Sequence, residues 1–387
     1  MCKISVILPS LNVARYIGEA IMSVREQTLE DIEIICVDAG STDGTLDIIR
    51  SHMEADSRVQ LIVSDRKSYG YQMNLGMARA KGKYIGIVET DDYIPREMYE
   101  ELCAAADEAN AQVVKADFYR FIEKDGRIQR TYNRLDPTGA YYGRAIHPAK
   151  EQEVFRFIMN TWSGVYLRSF LEENGIAHNE TPGASYQDNG FWMRTFCCAE
   201  RVLFVDKPYY RNRRDNADSS VKNPGKVYCM SEEWTDIERW LRRDTRRWDT
   251  FCGVFALRLY HSLLFTYQRI APEFREEFAR HMSAEMGRLM SEDVISREKF
   301  TAYEWKRLEQ LVRDPMAWHS VLAAGCWHGG AAALAKKAGG AAKLIRTADH
   351  IANKIEIVLA WIGYEGLGRT MRRVKWKNTV DTVDRER

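Results

Sequence analysis

Two acidic clusters carry the chemistry that this sequence could perform. Glu89-Thr90-Asp91-Asp92 sets carboxylates side by side. Adjacent acids suit a divalent cation, and such a cation suits a departing diphosphate, whose charge must be neutralised. Asp38 opens the second cluster, Asp38-Ala39-Gly40-Ser41-Thr42-Asp43-Gly44. A carboxylate there could accept the ring N–H of a pyrimidine base. A dinucleotide-binding turn is a poor match, because the Gly-x-Gly-x-x-Gly pattern is absent. Each cluster also has a plain structural reading. Glu89–Asp92 would then be an exposed turn capping a helix that starts near Pro95. Ser41, Thr42 and Gly44 would form a turn and a helix cap, leaving only Asp38 in want of a ligand.

The elements around these clusters sharpen the choice. Ile4 to Leu8, Ile32 to Val37, Val59 to Val63 and Tyr84 to Val88 are short, mostly β-branched runs that predict buried strands. Between the first two, Tyr16, Ile17, Ala20, Ile21 and Val24 recur at helical spacing, with Asn12 as the expected N-cap. Ser41 is the expected cap of a second helix carrying Ile48, Ile49 and Met53. A third, around Met73, Met77 and Ala80, ends at Gly82. This rhythm predicts a largely parallel α/β sheet, whose ligands bind beyond the carboxyl ends of the strands. Asp38 closes the second strand and Glu89–Asp92 closes the fourth, so both clusters fall there. Val113 to Tyr119 predicts a further strand. Trp162-Ser163-Gly164-Val165-Tyr166 and Tyr186-Gln187-Asp188-Asn189-Gly190 read as site elements on loops. After about Tyr228 the pattern is helical, and Gly325 to Ala342 is rich in Gly and Ala.

The 387 residues carry a formal net charge of +1, which gives no reason to expect nucleic acid as a partner. The eight cysteines include no Cys-x-x-Cys pair and predict neither a disulfide framework nor a zinc site. The N-terminus lacks the apolar region of a secretory peptide. No stretch approaches the roughly 20 apolar residues that span a bilayer. The expectation is a cytoplasmic protein.

Taken in order, Ile4-Ser5-Val6-Ile7-Leu8-Pro9-Ser10-Leu11-Asn12, Val37 through Thr45, and Ala80-Lys81-Gly82-Lys83-Tyr84-Ile85 leading into Glu89–Asp92 resemble family 2 glycosyltransferases. The match covers about the first 120 residues and continues more weakly to about Val221. The resemblance implies a GT-A fold, with residues 1–120 as the nucleotide-binding half and 121–225 as the acceptor half. A mainly helical region over 226–387 would follow. It also implies a nucleotide-diphosphate sugar donor, Mg²⁺ or Mn²⁺, and inversion at the anomeric carbon. Carried over residue by residue, Pro9, Leu11 and Asn12 would lie beside the base and Asp38 would bind a uracil ring. Gly70, Asn74 and Arg211 would contact the donor. Asp91 and Asp92 would hold the ribose and the metal-diphosphate unit, with Glu89 and Asn212 as further metal ligands. Asp188 matches the family's catalytic base, and Tyr210-Arg211-Asn212 followed by Asn216 to Ser220 resembles the segment that closes over the diphosphate.

The sequence also departs from the pattern. Ala39 stands where a second Asp is usual, Leu11 where some relatives carry an aromatic ring, and Met73 where an Arg is common. Glu89 replaces an Asp, and Gln187 replaces an acid. These departures weaken uridine specifically more than a nucleotide sugar generally. They also keep alive a catalytically silent glycan-binding or scaffold protein. A sugar nucleotidyltransferase would need a Gly-rich basic loop after the first strand, and Pro9–Asn12 is not one.

Trp162, Tyr166, Tyr186 and Trp192 are candidate stacking surfaces for an acceptor sugar, or core residues. Arg369, Arg372, Arg373, Lys375 and Lys377 surround Met371, Val374 and Trp376 without an intervening acid. That segment suits a peripheral contact with anionic membrane on the inner face, near a lipid-linked acceptor, and equally a solvated helix end. The reading that results is a non-processive, inverting transferase of single sugars. Its donor would be a UDP-sugar, its acceptor a glycan or lipid-linked saccharide, and its setting surface-polysaccharide assembly.

Overall fold

The computed structural model describes residues 2–217, 223–323 and 380–383. The Gly/Ala-rich stretch, the basic C-terminal segment and the last residues of the Asn216–Ser220 segment lie outside these. The chain divides into two compact units. Among the described residues, the first holds 2–217, 232–240 and 380–383, and the second holds 223–231 and 241–323.

The first unit begins as strand, helix, strand, as predicted. Strand β1 (Ile4–Ser10) leads to α1 (Ile17–Arg25), β2 (Ile32–Asp38), α2 (Thr45–Ala55), β3 (Val59–Val63), α3 (Tyr69–Arg79), β4 (Tyr84–Ile87) and α4 (Met98–Glu108). Every residue of β1, β2 and β4 is buried, as expected of strands covered on both faces. These strands pair in parallel in the order β4-β1-β2-β3.

Beyond β4 the sheet turns mixed. Strand β5 (Val113–Lys124) runs five residues past the predicted end and forms a hairpin with β6 (Arg127–Asn133). Next come β7 (Ala145–Ile146), β8 (Gly164–Leu167), α5 (Arg168–Glu173), α6 (Gln187–Cys198) and β9 (Val202–Arg213). Strand β8 lies antiparallel between β4 and β5, so Gly164–Tyr166 is strand where a loop was expected. Strand β9 runs parallel to β5, with the register shifting around Asp117. Helix α7 (Cys229–Arg242) contributes residues 232–240 to this unit. Strand β10 (Val380–Val383) adds an edge antiparallel to β6, within the region expected to be helical.

Two expected helix caps fall elsewhere. Helix α1 begins after Tyr16, and Asn12 instead sits at φ 53° in the preceding loop. Helix α2 is capped by Gly44 at φ 98°, a conformation that costs glycine little. Ser41 is released to bond elsewhere. The second unit is helical, as predicted, with α8 (Thr245–Arg269), α9 (Arg275–Ser291), α10 (Ala302–Arg313) and α11 (Pro315–Ala323). Thr301 and Glu304 close a capping box on α10. No helix among the described residues is long and apolar enough to cross a membrane.

Candidate active site

The carboxyl ends of β1 and β2 form one corner, and Asp38 organises it. One oxygen of its carboxylate accepts the backbone N–H of Gly40 at 2.9 Å and of Ser41 at 2.7 Å. The other accepts the hydroxyls of Ser10 and Ser41, both at 2.7 Å. A carboxylate offers about four acceptor positions. All are used, and the side chain is fully buried. No oxygen of Asp38 is left open for the expected hydrogen bond from a base N–H, and the carboxylate shapes the turn that follows β2. The neighbouring loops are laced together. Asn12 accepts the N–H of Thr42 at 2.9 Å and donates its own to the Ser41 hydroxyl at 2.8 Å. Pro9 is buried, and its carbonyl accepts the Thr90 hydroxyl at 2.8 Å. Leu11 is left 38% exposed at this corner, an apolar ledge. Gln72 escaped the sequence reading. Its amide donates to the carbonyls of Ser10 at 2.8 Å and Val37 at 2.6 Å, tying both strand ends to α3.

The acidic cluster after β4 separates into three environments. Asp92 is buried and accepts the backbone N–H of Arg213 at 2.6 Å and the amide of Asn212 at 3.1 Å. Burial, then the nearby Asp91, holds its carboxyl well above the usual range. Burial pushes Glu89 up to about 8, reinforced by Asp91 and Asp188, although the Tyr69 hydroxyl donates to it at 2.7 Å. Asp91 is half-buried. One of its oxygens accepts the Asn216 amide at 2.8 Å, and the other accepts nothing among the described residues. Arg213, another residue that the sequence did not announce, locks this loop. Its guanidinium donates to the Asp91 carbonyl at 2.9 Å and to Glu19 at 2.8 Å.

A divalent cation takes oxygen ligands, and Mg²⁺ often takes only one or two carboxylates beside phosphate and water. The open oxygen of Asp91 fits that requirement. So does the amide oxygen of Asn212, whose nitrogen is turned to Asp92. Glu89 and Asp92 are committed to Tyr69, Asn212 and Arg213, so the four expected ligands do not form one set. Among the described residues no group of three His, Cys, Asp or Glu side chains could hold an ion unaided.

Asp188 stands in the first turn of α6, in a helix rather than the expected loop. It is close enough to Glu89 and Tyr69 to bias their ionisation. Burial raises its own carboxyl to about 6, opposed by backbone N–H groups at the helix start. No side chain among the described residues hydrogen-bonds to it. Its placement depends on neighbours. Gln187 donates to the carbonyls of Thr181 and Gly183, each at 2.9 Å, and accepts the N–H of Ser185 at 2.6 Å. An amide both donates and accepts, which explains a Gln where an acid was expected. One turn along α6, Phe191 stacks on His178 with ring centres 4.3 Å apart.

Three residues expected to contact the donor make contacts within the scaffold. Asn74 spends its amide on the backbone of His178 and on Glu180. A Cβ on Gly70 would overlap the carbonyl oxygen of Asn179, so glycine is required for that loop to approach α3. Arg211 is buried, lies over the Tyr119 ring at 5.0 Å and donates to the Pro208 carbonyl, on the sheet face opposite Asn212. The buried Ala39 and Met73 are core positions, so neither departure removes an exposed group from the site. Of the four aromatic candidates, Tyr166 and Trp192 are core residues. Trp162 is half-buried and stacks on Tyr210 at 4.3 Å, and the Tyr210 hydroxyl accepts the N–H of Glu89 at 2.9 Å.

This geometry can be set beside known proteins. Residues 5–173 match the model of the family described as Glycosyl transferase family 2. The glycosyltransferase GlyG of Streptococcus pneumoniae is 30% identical over 219 residues, which span 54% of this chain and 70% of GlyG. The uncharacterized glycosyltransferase EpsJ of Bacillus subtilis is 31% identical over 58% of this chain, and the match spans 64% of EpsJ, just under two thirds. The crystal structure of residues 1–349 of Staphylococcus aureus TarS in complex with UDP-GlcNAc superposes with a TM-score of 0.63 at 19% identity. It covers 84% of this chain and 91% of that one. A likeness at that identity speaks for the fold.

Proposed function

From the premise that this chain belongs to glycosyl transferase family 2 and has its GT-A fold, we propose that it transfers a single sugar from a nucleotide-diphosphate donor to an acceptor hydroxyl, with inversion. The observation that carries the reading is Asp188. It is a carboxylate raised to about 6 by burial, bonded to no other side chain among the described residues, and beside the acids that follow β4. At neutral pH it is mainly ionised and still basic enough to take a proton, which suits a general base. A water or sugar hydroxyl is a weak nucleophile until such a group removes its proton. One direct displacement with a single base inverts the anomeric centre.

We assign the donor to the corner made by the β1 and β2 ends, with the base on the Leu11 ledge and the diphosphate toward Asp91. UDP is the nucleotide we favour, because TarS, the neighbour in fold, was solved with UDP-GlcNAc. Asp91 and Asn212 would hold Mg²⁺ or Mn²⁺. When bound, that ion neutralises charge on the diphosphate. Around it, this chain's residues have separate duties. Arg213 and Asp92 fix the acid loop, Gln187 and Asn74 fix the loop before α6, and Trp162 offers a face to the acceptor sugar. The setting we propose is assembly of a cell-surface polysaccharide.

A panel of nucleotide sugars tests this reading, with melting temperature followed with and without Mn²⁺ and donor hydrolysis measured in parallel. The expected result is stabilisation by one UDP-sugar, dependent on the ion, together with slow release of UDP. A protein that binds and hydrolyses no nucleotide sugar would be a silent member of the fold, and the reading would fall.

A further inference from the structure

Helix α7 lies past the family match, which ends at residue 173, yet its residues 232–240 belong to the first unit. It meets α6 along matching faces. Gly190 and Arg194 stand four residues apart on α6, and Glu233 and Asp236 three apart on α7, so each pair shares a helix face. Arg194 forms an ion pair with Asp236 and donates to the Ala177 carbonyl at 2.6 Å. One turn earlier, Glu233 comes so close to Gly190 that a Cβ there would overlap its Oε1. Glycine at 190 thus belongs to this contact, although glycine is a poor helix former. Glu233 itself is 1% exposed. Its Oε2 accepts the Asn179 amide at 3.0 Å, and its Oε1 accepts no hydrogen bond among the described residues. Joining two helices does not call for a buried carboxyl, since an apolar side chain would do it without the cost of desolvation.

The surroundings of Glu233 say what it serves. Asn179, which it holds, presses its own carbonyl on Gly70 of α3, and the adjacent His178 is clamped by Asn74. Gly190 follows Asp188 by two residues in the first turn of α6. Residues two apart on a helix do not face each other, so Glu233 supports that turn from a side other than the one Asp188 occupies. Burial pushes Glu233 up to about 7, and the Asp188 charge is near enough to add to the rise. One side chain of α7 therefore holds both the loop before α6 and the turn that carries Asp188. We propose that Glu233 is the positioning residue for Asp188, so that residues beyond the family match complete the reaction centre. The assignment rests on the transferase reading above, with Asp188 as base, and adds the residue that aims it.

The test uses the full chain with Mn²⁺ and offers UDP-GlcNAc, UDP-glucose and UDP-galactose in turn. It reads release of UDP and, separately, UDP affinity. Glu233→Ala should lower turnover about tenfold or more and leave UDP affinity within about twofold. Glu233→Gln, which keeps the size and an oxygen for Asn179, should recover most of the loss. Gly190→Ala should reproduce the loss, and adding Glu233→Ala to it should restore turnover in part, because the methyl group then has room. In an Asp188→Asn protein, Glu233→Ala should cost almost nothing further, since no base is left to aim. Urea midpoints show which variants fold, and Gly190→Ala carries the test if Glu233→Ala does not. Folded Glu233→Ala or Gly190→Ala protein with wild-type turnover overturns the proposal. So does a loss that falls on UDP affinity, or one that persists in full beside Asp188→Asn. If Asp188→Asn alone keeps near-normal turnover, the base reading fails and the role of Glu233 falls with it. Wild-type protein that releases UDP from none of the three sugars overturns both.

Discussion

Asn74 and His178, 104 residues apart, grip each other through a closed pair of hydrogen bonds. The Asn74 amide donates to the His178 carbonyl at 2.9 Å and accepts the His178 N–H at the same distance. Through this pair α3, which is tied to the ends of β1 and β2, holds the loop that leads to Asp188. On the function proposed above, one brace would serve both substrates.

Breaking that brace should reach catalysis without touching the nucleotide. Asn74→Ala removes both bonds, and Gly70→Ala drives a methyl into the Asn179 carbonyl beside them. Each should lower stability by about 1–3 kcal/mol in urea unfolding. Turnover should fall by an order of magnitude or more while UDP affinity changes by about threefold or less. A larger loss in UDP affinity than in turnover would return Asn74 to direct donor contact.

Asp91 and Asp92 are neighbours in different surroundings, the first half-buried with one bonded oxygen and the second buried and held by Asn212 and Arg213. Asp91→Ala takes away a half-exposed carboxylate with one bond, so the apo protein should melt within about 1 °C of wild type. Its stabilisation by UDP should no longer depend on Mn²⁺. Asp92→Ala leaves the Arg213 N–H and the Asn212 amide without acceptors and should cost about 1–3 kcal/mol with no ligand present. Melting curves of both variants, with and without UDP and Mn²⁺, decide the matter. An Asp92→Ala protein of normal apo stability that alone loses the ion effect would reverse the assignment.

The first half of the sheet was readable because its strands are fully buried runs of β-branched residues, and because both acidic clusters fall at strand ends. The second half was not. Strand β8 has four residues and β10 joins from far along the chain, so neither leaves a periodic pattern. The candidate site residues divide in the same way. Asp91 and Asp188 stand out by type and position. The face that Arg211 occupies depends on a register shift at Asp117 that no local pattern encodes. Asp38 looked like a ligand because a lone acid at a strand end needs partners. Its partners are Ser10, Gly40 and Ser41, visible only once β1 and β2 lie side by side.

Asp38 should therefore fail as a keystone fails. Asp38→Ala leaves buried donors from Ser10, Gly40 and Ser41 unsatisfied, and a loss of at least about 2 kcal/mol is expected. UDP affinity should fall with it, because the turn that carries the corner loosens. Asp38→Asn keeps the size but points an amide at donor groups, and should recover little of either. A stable Asp38→Ala protein with weakened UDP binding would restore the direct contact with the base.

Asp188 gives the sharpest test, because stability and catalysis should move in opposite directions when its charge is removed. Its carboxyl is raised to about 6 in the folded protein by burial, from an ordinary value near 4. The folded state thus holds that proton more tightly than the unfolded chain does. The group weakens the fold progressively as pH climbs from about 4 to beyond 6, and the full cost persists above that. Asp188→Asn cannot ionise. At pH 8 it should be more stable than wild type, by up to about 2 kcal/mol, and at pH 4 the two should match. Catalysis should move the other way. Transfer by the wild type should rise with pH through about 6 as the base is freed. Asp188→Asn should bind UDP and metal as before, lose at least about a hundredfold in turnover and show no such rise. A residue that only capped α6 would behave differently, since asparagine caps nearly as well as aspartate and transfer would persist. A folded Asp188→Asn protein with near-normal transfer would move the search for the base to the loops on either side.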